Sequence, residues 1–352
     1  MSNISKDIKK IKAYTEFQKL KTVLIGKGLP SSIAKHPTLV DKLTPTTQRL
    51  LINLLDETEE DLQNLAKVCE DFGVKVLRPE YTKQPDNEDI VISPYLMNPR
   101  DDIIVLDDKV VCVNSAITTS VDYLYPLRKY KNKVVRNKKT FNLVPPSIVR
   151  LGEHIIIDKQ KDMLSNDEDS VKYIREWLEP LGYNIIYTET HDFKFKGNIS
   201  HGDSVFAVLK PGVILTCNEA ATYTKNLFKG WDTFQVEPAI ENFKEWNSFL
   251  LDTKSYLFND NKYLDKAWNH TITKWFSDWV GYAKETLFDV NCLVLDENHV
   301  VVSHYRKEVF DYFKKHKIEP IISPVRHRFF WDGGVHCLTV DIEREGSRER
   351  YI

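Results

Sequence analysis

Along this chain, short apolar runs alternate with tight clusters of turn residues. DDIIVLDDKVVCV (residues 101–113) is two β-rich runs broken at Asp107-Asp108. GDSVFAVLKPGVILTC (202–217) breaks at Lys210-Pro211-Gly212, and NCLVLDENHVVVS (291–303) at Asp296-Glu297-Asn298. IVRLGEHIIID (148–158) is a shorter relative that turns at Gly152-Glu153. Two β-rich runs joined by a few turn formers predict a hairpin.

The pattern then changes period. SVKYIREWLEPLG (170–182) places Val171, Ile174, Trp177 and Leu178 on one helical face, with Gly182 as its stop. KEVFDYFKKHK (307–317) does the same with Val309, Phe310 and Phe313. A longer helix is predicted from Thr46 to Phe72, with Leu55, Leu62, Leu65, Cys69 and Phe72 periodic and Gly73 closing it. NIIYTE, IEPIISP, LKTVLIGKG and VKVLRP read as single strands around these helices. The unit hairpin–helix–strand therefore recurs at irregular spacing, which predicts a pseudo-symmetric, closed α/β assembly. A doubly wound sheet does not need a hairpin in every unit. No GxGxxG or GxxxxGK[ST] is present to support a nucleotide site.

Residues 222–280 interrupt the repeat. Five of the seven tryptophans fall there, Trp231, Trp246, Trp268, Trp275 and Trp279, with few turn signals. This stretch reads as a helical, aromatic-packed insert within a single domain spanning 1–352. Tryptophan is also favoured at interfaces, so a lid or an oligomer surface is the sharper reading. RKYKNKVVRNKK (128–139) is the one basic cluster and reads as a solvated loop.

Composition narrows the class. Hydrophobic residues make up 42% and aromatics 11%, enough for a sizeable core. Forty-nine Lys and Arg against 51 Asp and Glu leave a net charge of −2, which argues against a nucleic-acid partner. Five widely spaced cysteines without a CxxC fit a reducing compartment rather than a disulfide framework or a zinc site. The opening MSNISKDIKKIKAYTEF has no apolar core, and no apolar run approaches the ~18 residues of a membrane span. A cytoplasmic, membrane-free protein is expected.

Three stretches end in nucleophilic or charged groups: NPRDD (98–102), SHGDS (200–204) and GGVHC (333–337). Together they offer carboxylates, histidines and a thiol. A thiol needs a nearby cation to ionise at neutral pH. A histidine gives or takes the proton of a departing amine. Facing carboxylates repel unless a delocalised cation joins them, and a guanidinium does so through forked bonds. The set matches substitution at a guanidinium carbon. Singly, each residue has a plainer reading: Cys337 as small core, His-x-Asp as a cap, Arg-Asp as a turn or ion pair.

In order and spacing these stretches resemble the guanidino-group-modifying enzymes, most closely their amidinotransferase branch. KAYTEFQKLKTVLIGKG is similar to that family's opening strand and MNPRDDIIVLDDKVV to its Pro-Arg-Asp hairpin. HGDSVFAVLKPGVILT and GGVHCLTVDIEREG resemble its His-x-Asp hairpin and terminal strand. The resemblance implies a five-bladed α/β propeller (a pentein-like fold). It implies Cys337 as nucleophile, His201 as general acid and base, and Asp203 and Asp101 as acidic residues of the site. Arg100, Ser147, Gly334 and His336 are the implied substrate-binding residues, with Gly333 and Gly334 letting backbone approach the substrate. Ser147 stands where the family carries a further catalytic aspartate, and Ala220 where it carries a donor-binding arginine. The implied activity moves an amidino group from arginine or an analogue to an amine through a covalent amidino-cysteine. Hydrolysis by a relative of the deiminase or dimethylarginine-hydrolase type, and a non-catalytic scaffold, are the other readings. No metal or organic cofactor is implied. The partners are a small guanidino donor and an amine acceptor, and the assembly implied is a homodimer.

Overall fold

Every hairpin predicted above forms, and each gains a third strand. The computed structural model describes residues 10–32, 45–81, 97–112, 121–122, 125–128, 134–136, 143–158, 168–188, 202–217, 226–236, 287–331 and 333–352. In chain order the strands are β1 (Leu20–Ile25), β2 (Lys75–Leu77), β3 (Glu80–Tyr81), β4 (Ile103–Leu106), β5 (Lys109–Cys112) and β6 (Val121–Asp122). They continue as β7 (Val134–Arg136), β8 (Ile148–Leu151), β9 (His154–Asp158), β10 (Asn184–Thr188), β11 (Phe206–Lys210) and β12 (Val213–Cys217). The last are β13 (Asp232–Val236), β14 (Leu293–Asp296), β15 (His299–Val302), β16 (Glu319–Ile322) and β17 (Thr339–Arg344).

Among the described residues, five three-stranded sheets share one topology: β17-β1-β2, β4-β5-β7, β8-β9-β10, β11-β12-β13 and β14-β15-β16. In each, the middle strand pairs antiparallel on one side and parallel on the other. A parallel neighbour requires a crossover. Helices Pro45–Asp71, Glu168–Leu178 and Lys307–Lys315 are the crossovers into β2, β10 and β16. The first sheet is closed by the C-terminal strand, with Leu24 opposite Val340 and Ile25 opposite Thr339. The shared topology accounts for the hairpin–helix–strand repeat read from the sequence.

Local chemistry explains the elements. Strands β4 and β8 are buried along their whole length; β4 reads as a continuous apolar run, whereas β8 carries the buried Arg150 among its apolar residues. Glycines 152 and 212 take φ of +66° and +83° at their turns, where L side chains are strained. The long helix buries Leu51, Leu54, Leu55, Leu62, Leu65 and Cys69, close to the predicted stripe. Helix Lys307–Lys315 buries Val309, Tyr312 and Phe313, so Tyr312 takes the core position expected of Phe310. Among the described residues no helix is long and apolar enough to cross a membrane.

Two expectations need correction. Residues 232–236 are strand, not helical insert: β13 runs parallel to β12, with Leu215 opposite Phe234. Trp231 packs on Phe228 at a centroid distance of 5.0 Å just before it. Trp246, Trp268, Trp275 and Trp279 lie outside the described residues. Likewise, the basic run is not all loop, because Val134–Arg136 pairs with β5. In both places a third strand hides because its own sequence, VVR in a basic run and DTFQV beside Trp231, carries no apolar run.

Candidate active site

Strands β4, β8, β11, β14 and β17 each begin after a short turn, and these five turns meet. Gly202 N–H donates to Ser147 Oγ at 3.2 Å. Asn291 Nδ2 donates to the Asp203 carbonyl at 3.4 Å. Arg100 N–H donates to the Cys337 carbonyl at 3.4 Å. The turn Pro99–Asp102 packs on Pro145–Ser147. The sequence builds such turns cheaply: Pro99 and Pro145 start theirs with φ already set.

Cys337 sits in the last of these turns, 3% exposed. Its thiol donates to Asp203 Oδ2 at 3.4 Å. Asn291 Nδ2 donates to its Sγ at 3.1 Å. Burial pushes the thiol well above its ordinary range, and the charges of Asp203 and then Asp101 push it further. The Asn291 hydrogen bond and the Gly334 backbone pull the other way. The free site therefore holds a protonated thiol beside two acidic residues. A cation placed against Asp203 and Asp101 would cancel two of the three upward causes, so cation binding and thiol ionisation are coupled.

Asp203 is shared. The same Oδ2 meets His336 Nδ1 at 2.8 Å. His336 Nε2 lies 3.7 Å from Glu16 Oε2. Glu16 receives Arg150 Nε at 2.7 Å and Nη2 at 2.6 Å. Arg150 also pairs with Asp341, which accepts Arg100 Nη2 and Arg344 Nε, both at 3.0 Å. A chain of buried charge thus runs from the thiol's neighbour down to strand β17. Burial alone would raise the Glu16 carboxyl, but the Arg150 charge and the hydrogen bonds of His336 and Arg150 hold it well below the carboxylate range. A cavity of about 20 Å³ opens beside Glu16, Asp203 and His336, space for about one water.

The sequence-derived residues divide as follows. Cys337, Asp203, Asp101 and His336 come together. His201 lies outside the described residues. Arg100 does not reach a substrate position: it is 1% exposed, and its Nε donates to the carbonyls of His336 and Thr339 at 3.0 and 2.9 Å. It braces the Cys337 strand. Ser147 is likewise buried and holds the Gly202 backbone. Gly334 serves close packing, since a Cβ there would lie 2.5 Å from Asn291 Oδ1, and one at Gly333 would lie 2.5 Å from Asn98 Oδ1. Sequence reasoning missed Asn291 and Glu16. The available signal for Asn291 was position: DVNCLVL precedes its hairpin as NPRDDIIVL and HGDSVFAV precede theirs. Among the described residues no group of three or more His, Cys, Asp or Glu side chains is gathered to hold a metal ion.

No family model matches the chain. An L-arginine:L-lysine amidinotransferase of Pseudomonas savastanoi pv. phaseolicola is 23% identical over 395 residues, covering 97% of this chain and 96% of that protein. The mitochondrial glycine amidinotransferase of Xenopus laevis is 23% identical over 400 residues, covering 97% and 84%. An amidinotransferase of the saxitoxin biosynthetic pathway from Microseira wollei superposes with a TM-score of 0.65 at 19% identity, covering 97% of this chain and 99% of that one. The likeness to the amidinotransferase branch of the guanidino-modifying enzymes thus extends over nearly the whole chain, and the α/β fold is the one they share.

Proposed function

We propose that this chain is an amidinotransferase in which Cys337 is the nucleophile. The observation that carries the reading is the buried thiol donating to Asp203 Oδ2 with Asp101 also acting on it. The near-full-length likeness to amidinotransferases supports it independently. A guanidino donor binds as a cation against Asp203 and Asp101 and lowers the barrier to thiolate formation. The Cys337 thiol passes its proton to His201, and the resulting thiolate attacks the guanidinium carbon, forming the C–S bond. The C–N bond to the leaving amine breaks as that amine takes a proton from His201. The amidino group remains on sulfur. His201 then removes a proton from the acceptor amine, whose nitrogen attacks the same carbon, and the C–S bond breaks to release the thiolate, which recovers its proton from His201. Two easier displacements replace one hard one.

The finer features of the reading are these. The five sheets are the blades of a pseudo-fivefold propeller, with the five turns around the reacting sulfur. Donor and acceptor are small molecules, the donor being arginine or an analogue. The protein is cytoplasmic and homodimeric, needs no cofactor, and binds neither nucleic acid nor membrane.

Intact mass after incubation with a panel of guanidino compounds, without acceptor, tests this reading. The expected result is an amidino-sized gain in the wild type and none in Cys337→Ala, discharged when the right amine is added. Full activity of Cys337→Ala with any donor–acceptor pair would sink the proposal. Ureido product formed without an amine would replace transfer by hydrolysis.

A further inference from the structure

Asn291 is fully buried, and three of its four side-chain hydrogen bonds go to the nucleophile's turn, the fourth to Asp203. Its Oδ1 accepts the backbone N–H of His336 at 3.0 Å and of Cys337 at 3.2 Å. Its Nδ2 donates to Cys337 Sγ at 3.1 Å and to the Asp203 carbonyl at 3.4 Å. Two N–H donors facing one end of the amide fix its orientation, since an amide NH₂ there would meet donors only. The NH₂ end therefore has to face the sulfur. Gly334 is what lets the amide come so close, because any side chain there would collide with it.

Two polar side chains thus touch the sulfur, and they favour opposite charge states. Asp203 Oδ2 accepts the S–H hydrogen, an interaction that exists only while the thiol is protonated. Asn291 Nδ2–H donates, an interaction that strengthens as negative charge grows on sulfur. A fixed donor aimed at the atom where charge develops stabilises the charged state without rearrangement.

We propose that Asn291 is a catalytic residue of this site, whose carboxamide N–H stabilises the Cys337 thiolate during its formation and again during its release. The proposal rests on Cys337 being the reactive group. It assigns Asn291 a role distinct from holding the backbone, which Oδ1 performs.

The test is the pH dependence of Cys337 alkylation by iodoacetamide, read by intact mass, from neutral pH to above the ordinary thiol value of about 8.5. Asn291→Asp keeps an oxygen for the two backbone N–H groups and replaces the donor at sulfur. Asn291→Ala removes both. Both variants are expected to raise the alkylation midpoint by about 1–2 pH units and to slow alkylation below it about 10- to 100-fold. Asn291→Asp also brings a negative charge to the sulfur, so the neutral variant decides: a purely positional Asn291 would leave Asn291→Ala at the wild-type midpoint, and that result would overturn the proposal. Should neither variant fold, the wild-type protein decides: with ¹⁵N-labelled asparagine, the Asn291 side-chain NH₂ resonance should move when Cys337 ionises or is alkylated. A resonance that stays put would equally overturn it. Alkylation requires no substrate, so the outcome is separable from amidino transfer. Raised midpoints in a protein that forms no amidino adduct would retain Asn291's role and discard the transfer reading.

Discussion

In the proposed reaction Asp203 acts in two opposing senses. Its carboxylate holds the thiol proton and raises the thiol, yet a cationic donor needs that same charge. The two effects separate in Asp203→Asn. Removing the charge eliminates the second-largest cause of the raised thiol, so the alkylation midpoint should fall, although burial still keeps it high. Donor-dependent adduct formation should fall by about 10²-fold or more, the scale seen when a charge-stabilising group is removed. Alkylation rate against pH and adduct formation by mass, on the same variant, check both. If both rates drop together, Asp203 acts through structure rather than charge. At this scale the sequence was legible where a residue's chemistry is intrinsic. Cys337, Asp101 and Asp203 stand out because thiols and carboxylates at strand starts are conspicuous. Asn291 did not, because an amide gains meaning only from what it touches. Arg100 misled in the opposite direction: a guanidinium beside a site looks like a substrate clamp, and its burial against Asp341 was not visible in NPRDD.

Turns set the elements, and two glycines test how. Gly152 and Gly212 both adopt positive φ, so alanine strains both by about 1–2 kcal/mol. Their surroundings differ. A Cβ at Gly212 meets nothing within 4 Å, whereas one at Gly152 runs into the Glu349 carbonyl and lies 2.8 Å from the Tyr351 ring. The C-terminal segment is pinned there, with Glu153 N–H donating to Glu349 O at 2.8 Å. Gly152→Ala should therefore cost about 1–3 kcal/mol more than Gly212→Ala, the usual range for overpacking. Urea unfolding of the two variants measures the difference, and equal losses would mean that the C-terminal segment yields freely. The same locality explains what was legible here. A hairpin is written in its own turn residues, so all four were readable. Strands β7 and β13 were not, because VVR lies inside a basic run and DTFQV has no apolar run, whereas β2, β10 and β16, equally paired in parallel across a crossover, follow readable helices.

At the scale of the whole molecule, one buried ion cluster spans four of the five sheets. Asp341 on β17 pairs with Arg100, Arg150 and Arg344. Arg150, on β8, reaches the Val105 carbonyl of β4 at 3.3 Å, and Arg344 reaches the Val294 carbonyl of β14 at 2.8 Å. Glu16, from the segment before β1, completes it by holding Arg150. Burial would raise both carboxyls, but the arginines win: Arg344 and Arg150 hold Asp341 far down, and Arg150 does the same for Glu16. A carboxyl depressed in the folded state stabilises above its unfolded value of about 4 and loses that contribution as pH falls through the folded value. Unfolding free energy should therefore be insensitive to these two groups near neutrality. Below about pH 4 it should decline, by up to about 1.4 kcal/mol per pH unit for each group. Glu16→Gln removes one titrating group and leaves Arg150 with a weaker partner. It should lower stability at neutral pH by about 3–5 kcal/mol, the scale for breaking a buried pair, and make the acid limb shallower by about one proton. Urea unfolding of wild type and variant between about pH 3 and 7 supplies both numbers. A variant that loses stability at neutral pH but keeps the full acid slope would show that other carboxylates drive acid unfolding. The same variant bears on the site, because Glu16 faces His336 from the side opposite Asp203. Loss of the cluster's charge balance should thus reach the thiol through the imidazole, as an altered alkylation midpoint even under conditions where the protein stays folded.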